Sequence, residues 1–178
     1  MQILSKVIKL DLTYASEISQ CYQRKTCYLA PYKSEQAEHF ARRILAYLSY
    51  FEWEPVLSSL DNAGKSPDLY VSDELDHIRL WCTVDLLSEK HLQRASHRAD
   101  VVVLFLVDSD QQKLQHQLKH VYNNLRIDYL PQQQLLVFCD MLKGHMHLDL
   151  WREDGNLLIT DGKHILELEV SSQFPSSH

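Results

Sequence analysis

Pro67-Asp68-Leu69-Tyr70 is followed, after the loop Ser72-Asp73-Glu74-Leu75-Asp76, by Ile78-Arg79-Leu80-Trp81-Cys82-Thr83-Val84-Asp85. Both flanking segments have the apolar, β-branched and aromatic content of strands, and the acids between them mark a reversal of the chain. A carboxylate leads the first segment. On the second, Thr83 and Asp85 stand two residues apart and share one face of a continuous strand. Metal-dependent nucleases use this layout because two adjacent strands bring hard oxygen donors to a divalent ion that polarises a phosphate. A complete set would place a second acid and a lysine on the second strand. Here Thr83 and Asp85 stand in those places.

Around this stretch the chain reads as one mixed α/β domain over residues 1–170 with a flexible polar tail at 171–178. Its 178 residues suffice for one core of ordinary size. Hydrophobic content of 45% with 24% charged residues is that of a soluble globular protein. A net charge of -6 excludes a dedicated nucleic-acid coat, because binding to phosphates is driven by dense Lys and Arg, although a local basic face stays compatible with it. Cys21, Cys27, Cys82 and Cys139 form no C-x-x-C pair and read as buried thiols of a reducing compartment. The charged start of the chain has no signal-like apolar core, and no run approaches the roughly 20 apolar residues of a membrane span. The expected location is cytoplasmic.

Upstream, residues 7–14 alternate as a strand with one wet face, and 19–29 forms a second strand, giving a hairpin without an Asn-Gly turn. Ser34 is expected to cap a helix over 34–50, with Glu35 and Glu38 in or near its first turn and Ala37, Ala41, Ile44, Leu45 and Leu48 on its buried face. Turn formers at 61–67 deliver the chain to Asp68. Downstream, Ser88 opens an amphipathic helix, and the continuously apolar Val101-Val102-Val103-Leu104-Phe105-Leu106-Val107 predicts a central strand covered on both faces. A polar helix over 110–122, a strand at 125–129 and a helix over 132–142 follow. Two Asp-Gly turns, at Asp154-Gly155 and Asp161-Gly162, then predict an antiparallel three-stranded meander.

Other motifs carry less chemistry. His116 and His120 stand one helical turn apart without the intervening acid of a zinc-protease motif, and His145 and His147 share a strand face; both pairs read as surface residues. Gly64-Lys65-Ser66 lacks the upstream glycine of a phosphate loop, and Ser96-His97 lacks a nucleophile elbow. Arg42 and Arg43 are expected on a charged helix face, and Tyr47, Tyr50, Phe51 and Trp53 in the core.

From about residue 9 to 169 the chain resembles the YaeQ family of bacterial proteins. The residues that carry the resemblance are Ser34-Glu35, Arg43-Ile44-Leu45-Ala46, Pro67-Asp68-Leu69, Leu80-Trp81, Glu89-Lys90, Arg98-Ala99-Asp100-Val101-Val102-Val103 and Asp161-Gly162-Lys163-His164-Ile165-Leu166-Glu167-Leu168-Glu169, in collinear order. The resemblance implies a restriction-endonuclease-like core of the PD-(D/E)XK class, a mixed central sheet flanked by helices, ahead of the meander. It places family acids at Glu38, at Asp68 and at position 83, where this chain has threonine, while the lysine of the wider class falls on Asp85.

Three functional expectations follow. In the first, the site is degenerate, holds no essential cofactor, and the protein acts without catalysis by binding protein or nucleic acid. In the second, Glu38, Asp68 and Asp85 hold Mg²⁺ in an active nuclease or phosphodiesterase, with Asp68, Asp85 and Lys90 as catalytic candidates and Arg42 as an alternative basic helper. A third places a partner surface on the 110–122 helix of a structural interaction protein.

Overall fold

The computed structural model describes residues 6–169, so the tail expected at 171–178 lies outside the described residues. The elements run β1 (Ile8–Ser16), β2 (Cys21–Leu29), α1 (Ala37–Ser49), β3 (Val56–Leu57), β4 (Leu69–Ser72), β5 (Ile78–Thr83), α2 (Glu89–Arg98), β6 (Ala99–Val107), α3 (Gln111–Gln117), β7 (Leu125–Leu130), α4 (Gln132–Met141), β8 (His145–Glu153), β9 (Asn156–Thr160) and β10 (Ile165–Glu169). The described residues form a mixed α+β arrangement with two five-stranded sheets and four α-helices. It divides into two compact units, Met1–Ala41 with Gln133–His178, and Arg42–Gln132.

The first unit holds the sheet β10-β9-β8-β1-β2. The predicted hairpin forms, paired from Ile8↔Leu29 to Ser16↔Cys21; β1 runs two residues further than the alternation indicated and β2 begins two residues later. The predicted meander forms as well, but it is not a separate layer: β8 pairs parallel with β1. Period-two burial explains the union. β1 buries Ile8, Leu10, Leu12 and Tyr14, and β8 buries Met146, Leu148 and Leu150, so the hairpin and the meander share one apolar face. The two meander turns use Gly155 and Gly162 at positive φ. At the second turn the Asp161 carboxylate accepts the Lys163 and His164 N–H groups at 2.9 and 2.6 Å, bonds that hold its pKa well below the usual carboxylate range.

The second unit holds the sheet β3-β4-β5-β6-β7, antiparallel from β3 to β5 and parallel from β5 to β7. Parallel neighbours need crossovers, and α2 and α3 supply them. As predicted, β6 is an interior strand buried on both faces. Trp81, Leu87, Leu92, Ala95, Val102 and Leu104 belong to one cluster on the α2 side. The predicted cap of α2 is also present, since Ser88 Oγ accepts the His91 N–H at 3.3 Å.

Three elements differ from their predicted extent. Ser34 has φ of 63°, a left-handed conformation unsuited to an N-cap, and the helix begins at Ala37. The neighbouring Glu35 is buried instead; its carboxylate accepts the Tyr32 N–H at 2.9 Å and pairs with His39. The polar helix predicted over 110–122 stops at Gln117, because Asn124 anchors the approach to β7 on the Ser96 and Ala99 carbonyls. His120 is therefore off the helix, 2.5 Å from Glu89, and the one-turn spacing with His116 is not realised. Finally, β5 ends at Thr83, short of Asp85.

Tyr47, Tyr50 and Phe51 are buried as predicted, while Trp53 is half-exposed with the Arg79 guanidinium 5.5 Å from its ring centre. None of the four cysteines is in a disulfide; Cys27 and Cys82 are buried as expected, whereas Cys21 and Cys139 are half-buried. No helix among the described residues is long and apolar enough to cross a membrane.

Gly64 has φ of 83°, and a Cβ there would stand 2.8 Å from Leu87 Cδ2 and 3.2 Å from His91 Nδ1. Gly64→Ala is expected to cost about 1–2 kcal/mol from backbone handedness alone, with the side-chain clash added. Gly144→Ala, where a Cβ meets nothing within 4 Å, should leave the thermal midpoint unchanged. Calorimetric melting of the two variants checks the contrast.

Candidate functional site

Asp68 directly precedes β4 and is buried. Its Oδ2 accepts two bonds, from Thr83 Oγ1 at 3.0 Å and from the Val84 N–H at 2.8 Å. Its own N–H goes to the Cys82 carbonyl at 2.8 Å, and its carbonyl accepts the Ser58 N–H at 2.9 Å. A buried carboxylate without donors is costly, so these bonds are a condition of the residue's place in the fold. They also explain why β5 stops: the Val84 N–H is given to a side chain instead of to a neighbouring strand.

That ending changes the expected relation of Thr83 to Asp85. Thr83 is buried and donates to Asp68, whereas Asp85 lies past the strand, is exposed, and meets Arg42 Nη2 at 3.2 Å. The shared strand face holds only if the strand continues through 85, and it does not. Arg42 also donates from Nη1 to the Val84 carbonyl at 2.6 Å. Arg43 departs further from the expected solvated face: it is fully buried and donates to the Ser58 carbonyl at 2.6 Å. A guanidinium can be buried where its planar donors meet carbonyls, and both arginines of α1 meet them.

Lys90 is exposed in the first turn of α2. Glu38 is half-buried in the first turn of α1. Burial, and after it the nearby Glu38 and Asp140 carboxylates, push the Cys139 thiol up to about 11.

Two groupings escaped sequence reading. Tyr50, just past the end of α1, donates its hydroxyl to Asp128 of β7, which also accepts from Arg126 Nε at 3.1 Å, and burial first, then Asp128, raises the phenol well above its ordinary value. The i, i+2 spacing of Arg126 and Asp128 was the visible signal; its third member is 78 residues from Asp128. The other is Asp11 with His145 and His147, whose ligand-capable atoms all lie within 4.8 Å of one another, the one grouping of three His, Cys, Asp or Glu residues among the described residues that meets this spacing.

The family model for YaeQ proteins matches residues 1–170. The chain belongs to the YaeQ family. It is 28% identical over 153 residues to YaeQ of Salmonella typhi and 29% identical over 153 residues to YaeQ of Escherichia coli (strain K12), in each case covering 83% of this chain and 84% of the relative. Its fold matches crystal structures of YaeQ from Pseudomonas syringae, with a TM-score of 0.82 at 20% identity over 94% of both chains, and from Xanthomonas axonopodis pv. citri, with 0.83 at 20% identity over 97% of this chain and all of that one. At such identity the likeness to the solved YaeQ proteins concerns the fold.

Within this YaeQ chain the Asp68–Thr83 contact can be isolated. Thr83→Val removes the hydroxyl donor at nearly constant volume and should cost about 1 kcal/mol, and Asp68→Ala, which strands the buried Val84 N–H, about 1–3 kcal/mol. Because the two residues share a bond, the double variant should be less destabilised than the sum of the singles in urea denaturation.

Proposed function

We propose that this YaeQ protein is a nuclease-like scaffold of the PD-(D/E)XK kind whose metal site is degenerate, and that it acts by binding protein or nucleic acid without catalysis. The scaffold reading rests on the mixed order β3-β4-β5-β6-β7, with an acid leading β4 beside the end of β5. One observation carries the degenerate reading: Asp68 Oδ2 is engaged by the Thr83 hydroxyl and the Val84 N–H. Where a catalytic site of this class would present a second acid to the ion, Thr83 donates a hydrogen bond to the first.

The donor set is poorly matched to Mg²⁺. That ion takes near-octahedral oxygen ligands at about 2.0–2.1 Å, usually from carboxylates and water. Here position 83 supplies a neutral hydroxyl already used as a donor, and the Asp85 carboxylate faces the guanidinium of Arg42. The cation that balances Asp85 is thus part of the chain. Arg42 and Arg43 are held by carbonyls of the same unit, so their charges serve the fold before any phosphate.

Incubation of the purified full chain with plasmid, single-stranded DNA and RNA in Mg²⁺ or Mn²⁺ is expected to leave all three intact, and Mg²⁺ titration calorimetry should give no heat that depends on Asp68. Fluorescence anisotropy with labelled oligonucleotides then separates the partner classes, since nucleic-acid binding would weaken steeply with salt. Cleavage abolished by Asp68→Asn, a variant that keeps an acceptor for Val84, would overturn the proposal in favour of a Mg²⁺-dependent nuclease using Glu38, Asp68, Asp85 and Lys90.

A further inference from the structure

The outward face of the first sheet carries a constellation that the proposed function leaves unused. Asp11 stands in the middle of β1, with Thr26 as its partner on β2 and His147 as its partner on β8; His145 lies two residues back on the same face of β8. Strand register therefore brings an acid and two imidazoles together across 134 residues of sequence. His145 Nε2 is 2.5 Å and His147 Nδ1 3.6 Å from the same oxygen, Asp11 Oδ2, and the two rings are 4.5 Å apart between centres. On the other side, Thr26 Oγ1 donates to Asp11 Oδ1 at 2.6 Å.

We propose that Asp11 Oδ2, His145 Nε2 and His147 Nδ1 form a binding site for a divalent first-row transition ion, of which Zn²⁺ is the probe.

The donor chemistry selects the ion. Two imidazole nitrogens with one carboxylate oxygen suit Zn²⁺ and its neighbours, whereas Mg²⁺ and Ca²⁺ favour all-oxygen sets. Three protein ligands are also the number found at sites that keep a fourth position open. A tetrahedral ion with bonds of about 2.0–2.1 Å separates its ligand atoms by about 3.3 Å. The contact from His145 must lengthen by under about 1 Å to reach this, and that from His147 must shorten slightly, both within the reach of side-chain rotation on fixed strands.

A simple ion pair accounts for only part of the arrangement. One imidazole N–H would satisfy Asp11 Oδ2, yet the strand register brings a second imidazole toward the same oxygen, with the two rings 4.5 Å apart between centres. Thr26 supplies the outer hydrogen bond that orients a ligating carboxylate, a role usual around bound metals. Beside the cluster is a recess of about 340 Å³ whose lining includes Asp11, His147, Arg24 and Lys25. Arg24, paired with Thr13 on the same outward face as Asp11, places a cation near this side of the cluster, which favours water or a small anion in the fourth position.

The test is titration of the metal-stripped full chain with Zn²⁺ by calorimetry and with Co²⁺ by visible absorption. One equivalent should bind, with the d–d bands of a low-coordinate cobalt site. Loss of an outer-shell partner weakens metal binding by about 10–100-fold, so His145→Ala and His147→Ala should each weaken it at least tenfold and remove the bands. Both side chains are exposed, so the variants should keep the native far-ultraviolet circular dichroism. His116→Ala, on α3, controls for scattered surface histidines and should change neither signal. Absence of one-equivalent binding, or binding unaltered in the His145→Ala/His147→Ala double variant, would overturn the proposal.

Discussion

The second unit is organised by a carboxylate that water does not solvate. Asp68 keeps its place because Thr83 and Val84 donate to its side chain, while its backbone groups pair with Cys82 and Ser58. The consequences spread from there. β5 ends where its next N–H turns to Asp68, and the chain is freed to enter α2 under the Ser88 cap. Ser58, which binds the Asp68 carbonyl, also receives the buried Arg43 and donates its hydroxyl to the Pro67 carbonyl at 2.5 Å. Arg42 reaches the Val84 carbonyl on the other side of the same junction. Loss of the carboxylate would take the acceptor from both the Thr83 hydroxyl and the buried Val84 N–H at once.

Much of the architecture was legible as periodicity. Alternation exposed β1 and the meander, and the unbroken apolar run of β6 could belong only to an interior strand or a buried helix, which its β-branched content resolved. What periodicity misjudged were the ends. Nothing near Thr83 announces that a side chain 15 residues away will take the Val84 N–H, so the strand appeared to run on to Asp85. Ser34 has the chemistry of a cap but a left-handed backbone, and the acid after it is drawn into the interior by Tyr32 and His39. Arg43 looked solvated because helical phase places a charge without revealing what faces it. Its acceptor is a loop carbonyl 15 residues on.

The candidate sites divide along the same line. Asp68 and the neighbourhood of Thr83 were visible because they lie on consecutive strands. The grouping of Asp11 with His145 and His147 was not, because it depends on β8 lying parallel to β1, a pairing that joins the two ends of the chain. Sequence showed the histidines sharing a face and placed them at the surface, where they are; the register supplied the acid between them. A fold shared with solved YaeQ proteins at 20% identity follows from the same logic, since strand pattern and register tolerate wide change in the side chains that line a site.

Asp68 and Asp11 each accept two contacts on one oxygen, and the difference between their partners sets what each can do. At Asp68 the donors are a main-chain N–H and a hydroxyl turned inward; neither has a lone pair aimed at a cation that would share the carboxylate, and removing either disturbs the fold. At Asp11 the neighbours are imidazoles, which can exchange a proton for a metal without any movement of the backbone. The first arrangement is a structural lock, and the second is the set of donors proposed to take a metal ion. In the reading proposed for this protein, metal chemistry therefore belongs to the open face of the first sheet, while the nuclease-like junction of the second unit retains the shape of its class and has given its acid to the fold.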